Sequence, residues 1–223
     1  VAARETEFSA AVEDYAKAIF ALQQRADGAV ATTALAGRLG VTPASASGMV
    51  RKLDEHGLVT HVPYRGVRLT SAGTKVALEV LRRHRLLELY LSESLGVPWD
   101  RVHDEAEVLE HVLSDDLEAL IAAKLGDPTH DPHGDPIPSA DLELPEEETT
   151  SLASLEPGAR GTFVRVSDAD PEMLRYLSER GIAPGDTVEV ADKQPFGGPL
   201  FVTFRGTTHV LGGTLAGAMR VRL

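Results

Sequence analysis

The chain has 223 residues, no cysteine, and 34 acidic against 22 basic side chains, giving a formal net charge of -12 with histidine neutral. The missing thiols exclude a disulfide scaffold, a thiolate zinc site and a thiol nucleophile, and 43% hydrophobic with 25% charged residues is the composition of a folded protein of one large or two to three small domains. Taken whole, the acidity argues against nucleic acid as a partner. The lack of a long apolar run or a basic-then-apolar start points to a cytoplasmic protein with no membrane partner.

The charge is unevenly placed along the chain. Residues 1–76 carry +2, 77–126 carry -6, 127–151 carry -8 and 152–223 balance at zero. Phe8, Val12, Tyr15, Ile19 and Leu22 recur every three or four positions, so residues 7–25 read as an amphipathic helix. TTALAGRLG follows as a short helix with Ala34, Leu35 and Leu39 inward, ended by Gly40. VTPASASGMVRKLDEHG then begins with Thr42 as N-cap and Pro43 at the first helical position, and Gly57 stops it. Two helices across a GVT turn make a helix-turn-helix, and LVTHVPY with GVRLT around Arg65 and Gly66 reads as a hairpin wing.

On the outward side of that second helix Ala44, Ser45, Ser47 and Gly48 are small or hydroxylated, and Arg51 and Lys52 follow. Small residues let a helix enter the major groove, hydroxyls reach bases or phosphates, and Arg or Lys reach phosphates. Thr42, Ala44, Ser45, Ser47, Arg51 and Lys52, with Tyr64, Arg65 and Arg68 on the wing, are therefore candidate contacts to double-stranded DNA. A three-helix domain used for protein contacts is the alternative.

From Thr70 a long helix carries Val76, Val80, Leu81, Leu87, Tyr90 and Leu91, more apolar surface than one core needs, which suggests a dimer interface. His84 and Glu88 lie one turn apart on it. VHDEAEVLEHVLSDDLEALIAAKLG reads as one further helix that presents His103, Glu107, Glu110 and His111 as a single stripe, flanked by Val102, Ala106, Leu109, Val112 and Leu113. Two hard oxygen donors and an imidazole on less than two turns suit a divalent ion, although His and Glu also share ordinary solvated faces. No positioned nucleophile, phosphate loop or acid/base pair stands beside them, so no enzyme is expected. DPTHDPHGDPIPSADLELPEEETTS has no regular period and reads as an acidic, Pro-rich extended linker, with His130 and His133 as exposed loop residues. Beyond it GTFVRV, TVEVAD, LFVTF, THVLG and AMRVRL are short alternating runs, the pattern of a small β barrel.

EDYAKAIF, the helix-turn-helix and wing, RRHRLLE, VHDEAEVLEHVLSD and DPHGDPIP together resemble the diphtheria toxin repressor family of metal-dependent regulators, in particular its manganese-responsive MntR branch. The tail resembles that family's SH3-like, FeoA-like third domain. The resemblance implies a mostly α chain with β elements: a winged helix-turn-helix over 1–76, a helical dimerisation and metal-binding domain over 77–144 with a linker to about 151, and an SH3-like barrel over 152–223. It implies a homodimer that, loaded with Mn²⁺, binds palindromic operator DNA and represses metal-transport genes. The primary site would use Asp14, Glu107, Glu110 and His111; an ancillary site would take His84, Glu88 and His103, completed by Asp168 or Asp170 unless these only cap the next helix. Relatives that sense iron carry methionine and cysteine where this chain has Asp14 and Glu107, and two carboxylates favour Mn²⁺, with Fe²⁺, Co²⁺ or other divalent ions active in vitro. Lys17 stands where a binuclear cluster would need an acid. Without metal, Asp14, Glu107 and Glu110 are expected to repel one another and leave the first helix free to move. An iron-dependent repressor is the nearest alternative; a metal-storage protein or a metalloenzyme is more distant.

Overall fold

The computed structural model describes residues 8–25 and 28–223, which divide into two compact units. The first unit spans residues 1–84, 107–124 and 138–143, and the second 85–106, 125–137 and 144–223. In chain order the first elements are α1 (Ala10–Arg25), α2 (Thr32–Leu39), α3 (Pro43–Glu55), β1 (Val59–Val62), β2 (Gly66–Leu69), α4 (Ser71–Leu95), α5 (Val102–Leu109) and α6 (Asp115–Lys124). They are followed by β3 (Thr150–Ser151), β4 (Arg160–Val166), α7 (Pro171–Ser178), β5 (Thr187–Lys193), β6 (Leu200–Phe204), β7 (Thr207–Leu211), α8 (Gly213–Ala218) and β8 (Met219–Arg222).

In the first unit α1 starts at Ala10 rather than residue 7, which lies outside the described residues. Val12, Ala16 and Ile19 of α1 pack with Leu35, Val50, Leu53 and Leu58 in one buried core. On α2 the inward alanine is Ala36, since Ala34 is exposed. Gly40 ends α2 in the left-handed region at φ 64°, as a tight helix-to-helix turn requires. Thr42 then caps α3, its hydroxyl accepting from Ser45 N at 3.2 Å, with Pro43 at the first position. Strands β1 and β2 pair antiparallel from Val59↔Leu69 to Val62↔Gly66, and the turn between them presents Tyr64 and Arg65 to solvent.

The expected single helix over 102–126 is two helices. Residues 110–114 leave the helical path between α5 and α6, and Ser114 Oγ accepts from Leu117 N at 3.3 Å while Asp115, Asp116 and Glu118 fill the first turn of α6. A capping serine followed by three acids at the positive end of a helix dipole starts a new helix. Of the apolar residues expected to be in surplus on α4, Val80, Leu87 and Leu91 are buried within the chain, while Val76, Leu81 and Tyr90 are partly buried. Over residues 100–126 the uncovered large apolar side chains are Val108, Val112, Leu117 and Leu120, with Val108 and Val112 about 70% exposed.

In the second unit six antiparallel strands run in the order β3-β8-β4-β5-β6-β7. Register shifts between Phe163 and Arg165 and between Val190 and Asp192 curl the sheet around a core of Phe163, Leu174, Val190, Val202 and Phe204. This is the small barrel expected from the alternating runs and the SH3-like domain that the resemblance implies. The preceding segment is not an extended exposed linker over its whole length. Asp131, His133 and Ile137 are buried; Val166 N donates to His133 O at 3.0 Å; and Gly134, at φ 87°, lies so close to the β4 backbone that a Cβ would come within 1.9 Å of Val164 O.

Candidate metal centre and nucleic-acid interface

Unit boundaries cut α4 between His84 and Arg85 and α5 between Ala106 and Glu107, so each helix serves both units. In the first unit α1 brings Glu13, Asp14 and Lys17 to the residues at the C-terminal end of α5. His111 Nδ1 lies 2.7 Å from Glu13 Oε2, and His111 Nε2 lies 2.9 Å from Asp14 Oδ1 and 3.4 Å from Glu110 Oε1. Asp14 first and Glu13 second hold the imidazole protonated, raising its pKa to about 10. Asp14 Oδ1 is buried, and the imidazolium it faces at 2.9 Å is its ion-pair partner. With that proton gone, the carboxylate oxygen and the imidazole nitrogen are arranged as two ligands of a shared cation. Asp14, Glu110 and His111 can each offer an atom within 4.8 Å of the others. Glu13, 3% exposed, orients the imidazole through its other nitrogen, the usual support for a metal-binding histidine.

The other carboxylates here do not simply repel. Lys17 Nζ lies 2.7 Å from Glu107 Oε1 and 2.6 Å from Glu110 Oε1. Burial works against the ammonium, but Glu110 and Glu107 outweigh it and raise its pKa. The metal-free expectation of a loose α1 is therefore corrected: an ammonium already ties α1 to these two glutamates. His84 has its Nδ1 2.5 Å from Glu110 Oε2 and 3.9 Å from Glu107 Oε1. The bend after Leu109 also means that His103, Glu107, Glu110 and His111 do not form one stripe. His103 serves the second unit and the other three the first.

In the second unit His103 Nδ1 lies 3.2 Å from Glu88 Oε1 and 3.3 Å from Asp168 Oδ2, and Asp168 followed by Glu88 raise its pKa to about 10. Asp170 is elsewhere occupied, its carboxylate accepting from Glu172 N at 3.0 Å as the cap of α7. Sequence reasoning missed Asp131 and His133. His133 Nε2 is 2.8 Å from the carbonyl of Trp99, so this nitrogen carries the proton and Nδ1 presents a lone pair. That Nδ1 is buried without a hydrogen bond, 3.8 Å from Glu88 Oε2, and Glu88, Asp131 and His133 offer atoms within 4.8 Å of one another. Burial, then Asp135 and Glu88, push the Asp131 carboxyl well above its ordinary range. The DPHGD motif was the available signal, but it carries no periodicity that would show it folding inward.

All nine candidate DNA contacts, Thr42, Ala44, Ser45, Ser47, Arg51, Lys52, Tyr64, Arg65 and Arg68, are exposed. Local bonds already engage some of the hydroxyls: Ser47 Oγ donates to Pro43 O at 2.8 Å, and Thr42 Oγ1 and Ser45 Oγ are 2.9 Å apart.

Three family profiles match the chain: the N-terminal DNA binding domain of iron dependent repressors over residues 7–67, their metal binding and dimerisation domain over 70–139, and the FeoA domain over 150–223. The chain is 33% identical over 220 residues to the diphtheria toxin repressor of Corynebacterium efficiens, covering 94% of each. It is 32% identical to the iron-dependent repressor IdeR of Mycobacterium tuberculosis, over 75% of this chain and 78% of that protein. A solved manganese-dependent transcriptional repressor in complex with manganese superposes with a TM-score of 0.88 at 46% identity, covering 94% of this chain and 98% of the other. These relatives are transcriptional repressors and not enzymes. The chain belongs to the diphtheria toxin repressor family of metal-dependent transcriptional repressors.

Proposed function

We propose that this repressor responds to manganese and acts as a homodimer on palindromic operator DNA upstream of metal-transport genes, in the cytoplasm. The observation that carries the metal assignment is the donor set Asp14, Glu110 and His111, which offer atoms within 4.8 Å of one another, with Glu107 joined to Glu110 through Lys17; together they supply carboxylate oxygen and imidazole nitrogen with no sulfur. Such ligands suit Mn²⁺, whereas thiolate and thioether select softer ions. The likeness to the manganese-dependent repressor supports the same reading.

In this reading Glu88, His103, Asp131, His133 and Asp168 hold a second ion, and its ligands come from α4, α5, the 131–137 segment and the loop after β4. His84, with Nδ1 at Glu110, stands beside the primary ligands. A bound ion supplies the positive charge that lets Asp14 and Glu110 share one position. The protein's part is to hold the ligands ready: Glu13 fixes the ring of His111, and Glu110, just past the end of α5, is fully buried from water. Metal can favour the DNA-competent state only through tighter binding to that state. The exposed Val108, Val112, Leu117 and Leu120 are the surface for the second copy, and the exposed face of α3 with the wing is the surface for DNA. The matched regions, 7–67, 70–139 and 150–223, support a reading of DNA-binding, dimerisation and SH3-like domains at 1–76, 77–144 and 152–223. Among the described residues no helix is long and apolar enough to cross a membrane.

The test is fluorescence anisotropy on the DNA upstream of neighbouring transporter genes, titrated separately with Mn²⁺, Fe²⁺, Co²⁺ and Zn²⁺. Several ions are expected to activate in vitro, because affinity rises along the first-row series. Mn²⁺ should activate at its buffered intracellular concentration, and Asp14→Ala should abolish that response while the protein stays dimeric. Activation by Fe²⁺ alone in that range would favour the iron reading, which the likeness to IdeR supports. Operator binding by Asp14→Ala equal to wild type would overturn the site.

A further inference from the structure

Trp99, the one tryptophan of the chain, stands in the turn that joins α4 to α5 and offers no metal ligand of its own. Its contacts nevertheless place it beside the cluster of the second unit. The Trp99 carbonyl accepts from His133 Nε2 at 2.8 Å, and the indole lies against the imidazole with 5.8 Å between ring centroids and 21° between planes. The same indole packs on the buried core of the barrel. Its neighbour Asp100 accepts from Arg175 Nε of α7 at 3.2 Å, and Arg101 N closes the turn on Pro98 O at 2.8 Å, two residues before His103. The turn therefore touches all three segments that supply ligands to this cluster besides α4: the start of α5 with His103, the 131–137 segment with Asp131 and His133, and the barrel, whose loop after β4 carries Asp168.

We propose that Trp99 is the positioning residue of the second metal centre: its carbonyl fixes which nitrogen of His133 is free, and its ring fixes where that nitrogen points. This rests on the reading of Glu88, His103, Asp131, His133 and Asp168 as ligands of a second ion. A hydrogen bond to one ring nitrogen sets the tautomer but lets the imidazole swing about that bond, and a flat partner over its face removes the swing. The orientation matters because His133 is fully buried and its Nδ1 has no hydrogen bond. A lone pair left unbonded in the interior costs free energy, so the ring stays in that position only while its surroundings hold it there. His103 is the opposite case, since it lies in ion pairs with Glu88 and Asp168 that it must give up before it can act as a ligand. His133 is the ligand that stands ready in the metal-free protein, and the indole is what keeps it so. The role needs a flat ring, so phenylalanine should preserve it, whereas leucine fills the space against the barrel core without stacking and alanine does neither.

The full chain is titrated with Co²⁺, read by visible absorption and by tryptophan emission, and Mn²⁺ bound per chain is counted by equilibrium dialysis, for wild type, Trp99→Phe, Trp99→Leu, Trp99→Ala and His133→Ala. In the wild type one of the bound Co²⁺ ions should quench the emission, because the single indole stacks on one of its ligands; His133→Ala should lose both that quenching and one ion. Trp99→Phe should bind the second ion nearly as tightly as wild type. Trp99→Leu and Trp99→Ala should bind it roughly 10- to 100-fold more weakly, with a shifted Co²⁺ absorption band, while the first ion binds as before. A second-ion affinity in Trp99→Leu equal to that of wild type would overturn the proposal. So would equal weakening of both ions together with a lowered metal-free melting temperature, which would make Trp99 a residue of the core alone. If His133→Ala binds as many ions as wild type, the reading of the second centre itself fails; if it loses one ion and the Trp99 series is flat, only the positioning role fails.

Discussion

Histidines at both clusters make Mn²⁺ binding a competition with protons, and the structure sets its size. His111 is raised to about 10 by Asp14 and Glu13, and His103 to about 10 by Asp168 and Glu88. A histidine raised this far is an imidazolium throughout the physiological range, with roughly one molecule in three hundred neutral at pH 7.5. The sign follows. The protonated metal-free form is favoured below about 10, so lowering the pH weakens metal binding, and raising it toward 10 releases the competitor. In the metal-free protein the same ion pairs contribute stability that is full below the ordinary histidine pKa and is lost as pH rises through about 10. Each cluster should therefore give up one proton per ion, and the apparent affinity at each should rise roughly tenfold per pH unit, or about thirtyfold between pH 6.5 and 8.0. Calorimetry in buffers of different ionisation enthalpy reads the protons directly. Wild type should release at least two at saturation and His103→Ala at least one fewer, Lys17 keeping its proton throughout. Affinity flat over that pH range, with no dependence of the heat on buffer, would refute the assignment of these imidazoles as ligands.

Three further outcomes follow from particular contacts. Gly134→Ala should destabilise by roughly 2–5 kcal/mol, combining left-handed strain with forced displacement of Val164, whereas Gly126→Ala, at φ 77° with open space around it, should lose only about 1 kcal/mol; equal melting temperatures for the two in the metal-free state would contradict the close packing of the 131–137 segment. Arg51→Ala should weaken binding to all DNA sequences alike and reduce the slope of log affinity against log salt by about one, and an unchanged slope removes Arg51 from the phosphate contacts. Val112→Glu places a charge on a side chain that is 72% exposed in the single chain; it should leave the circular dichroism spectrum unchanged and shift the mass by light scattering from dimer to monomer, while persistence of the dimer would move the interface elsewhere.

Local chemistry made the first unit readable. Gly40 needs a left-handed residue, Thr42 and Pro43 announce a helix start, and the alternation of β1 and β2 around a turn shows as period two, so helix-turn-helix and wing follow from residues a few positions apart. The same method failed after Leu109. Leu109, Leu113, Leu117 and Leu120 continue a helical spacing straight through the bend, and periodicity does not distinguish a stripe that meets the chain's own core from one left outside. It failed again at Asp131, whose carboxylate accepts from His133 N at 2.8 Å and from Asp135 N at 2.9 Å, folding DPHGD into a compact turn that has no period. The site was legible as a set of residue types but not as partners. Asp14 and Lys17 meet Glu107, Glu110 and His111 across ninety or more residues, and only the packing of α1 shows that Lys17 belongs inside the cluster and Glu13 behind His111.

The surplus of acid becomes specific once each carboxylate is assigned to the cation that faces it. Arg82 and Arg83 hold Glu118 at 2.8 and 3.0 Å, Arg83 also meets Asp115, and Arg85 and Arg165 lie 3.4 and 3.5 Å from Asp135. A guanidinium keeps its proton under all physiological conditions, so these pairs are permanent and fix the helices and the folded 131–137 segment. Asp14 and Glu13 instead face His111, and Glu88 and Asp168 face His103. An imidazolium can surrender its proton and become a ligand, so the charge facing those carboxylates can be exchanged for a metal ion, while the arginine-paired acids around them stay in place. The net charge of -12 thus contains two populations, one that builds the scaffold and one that answers to the metal. Lys17 stands between them: it occupies the exchangeable cluster but, being an ammonium, does not leave it.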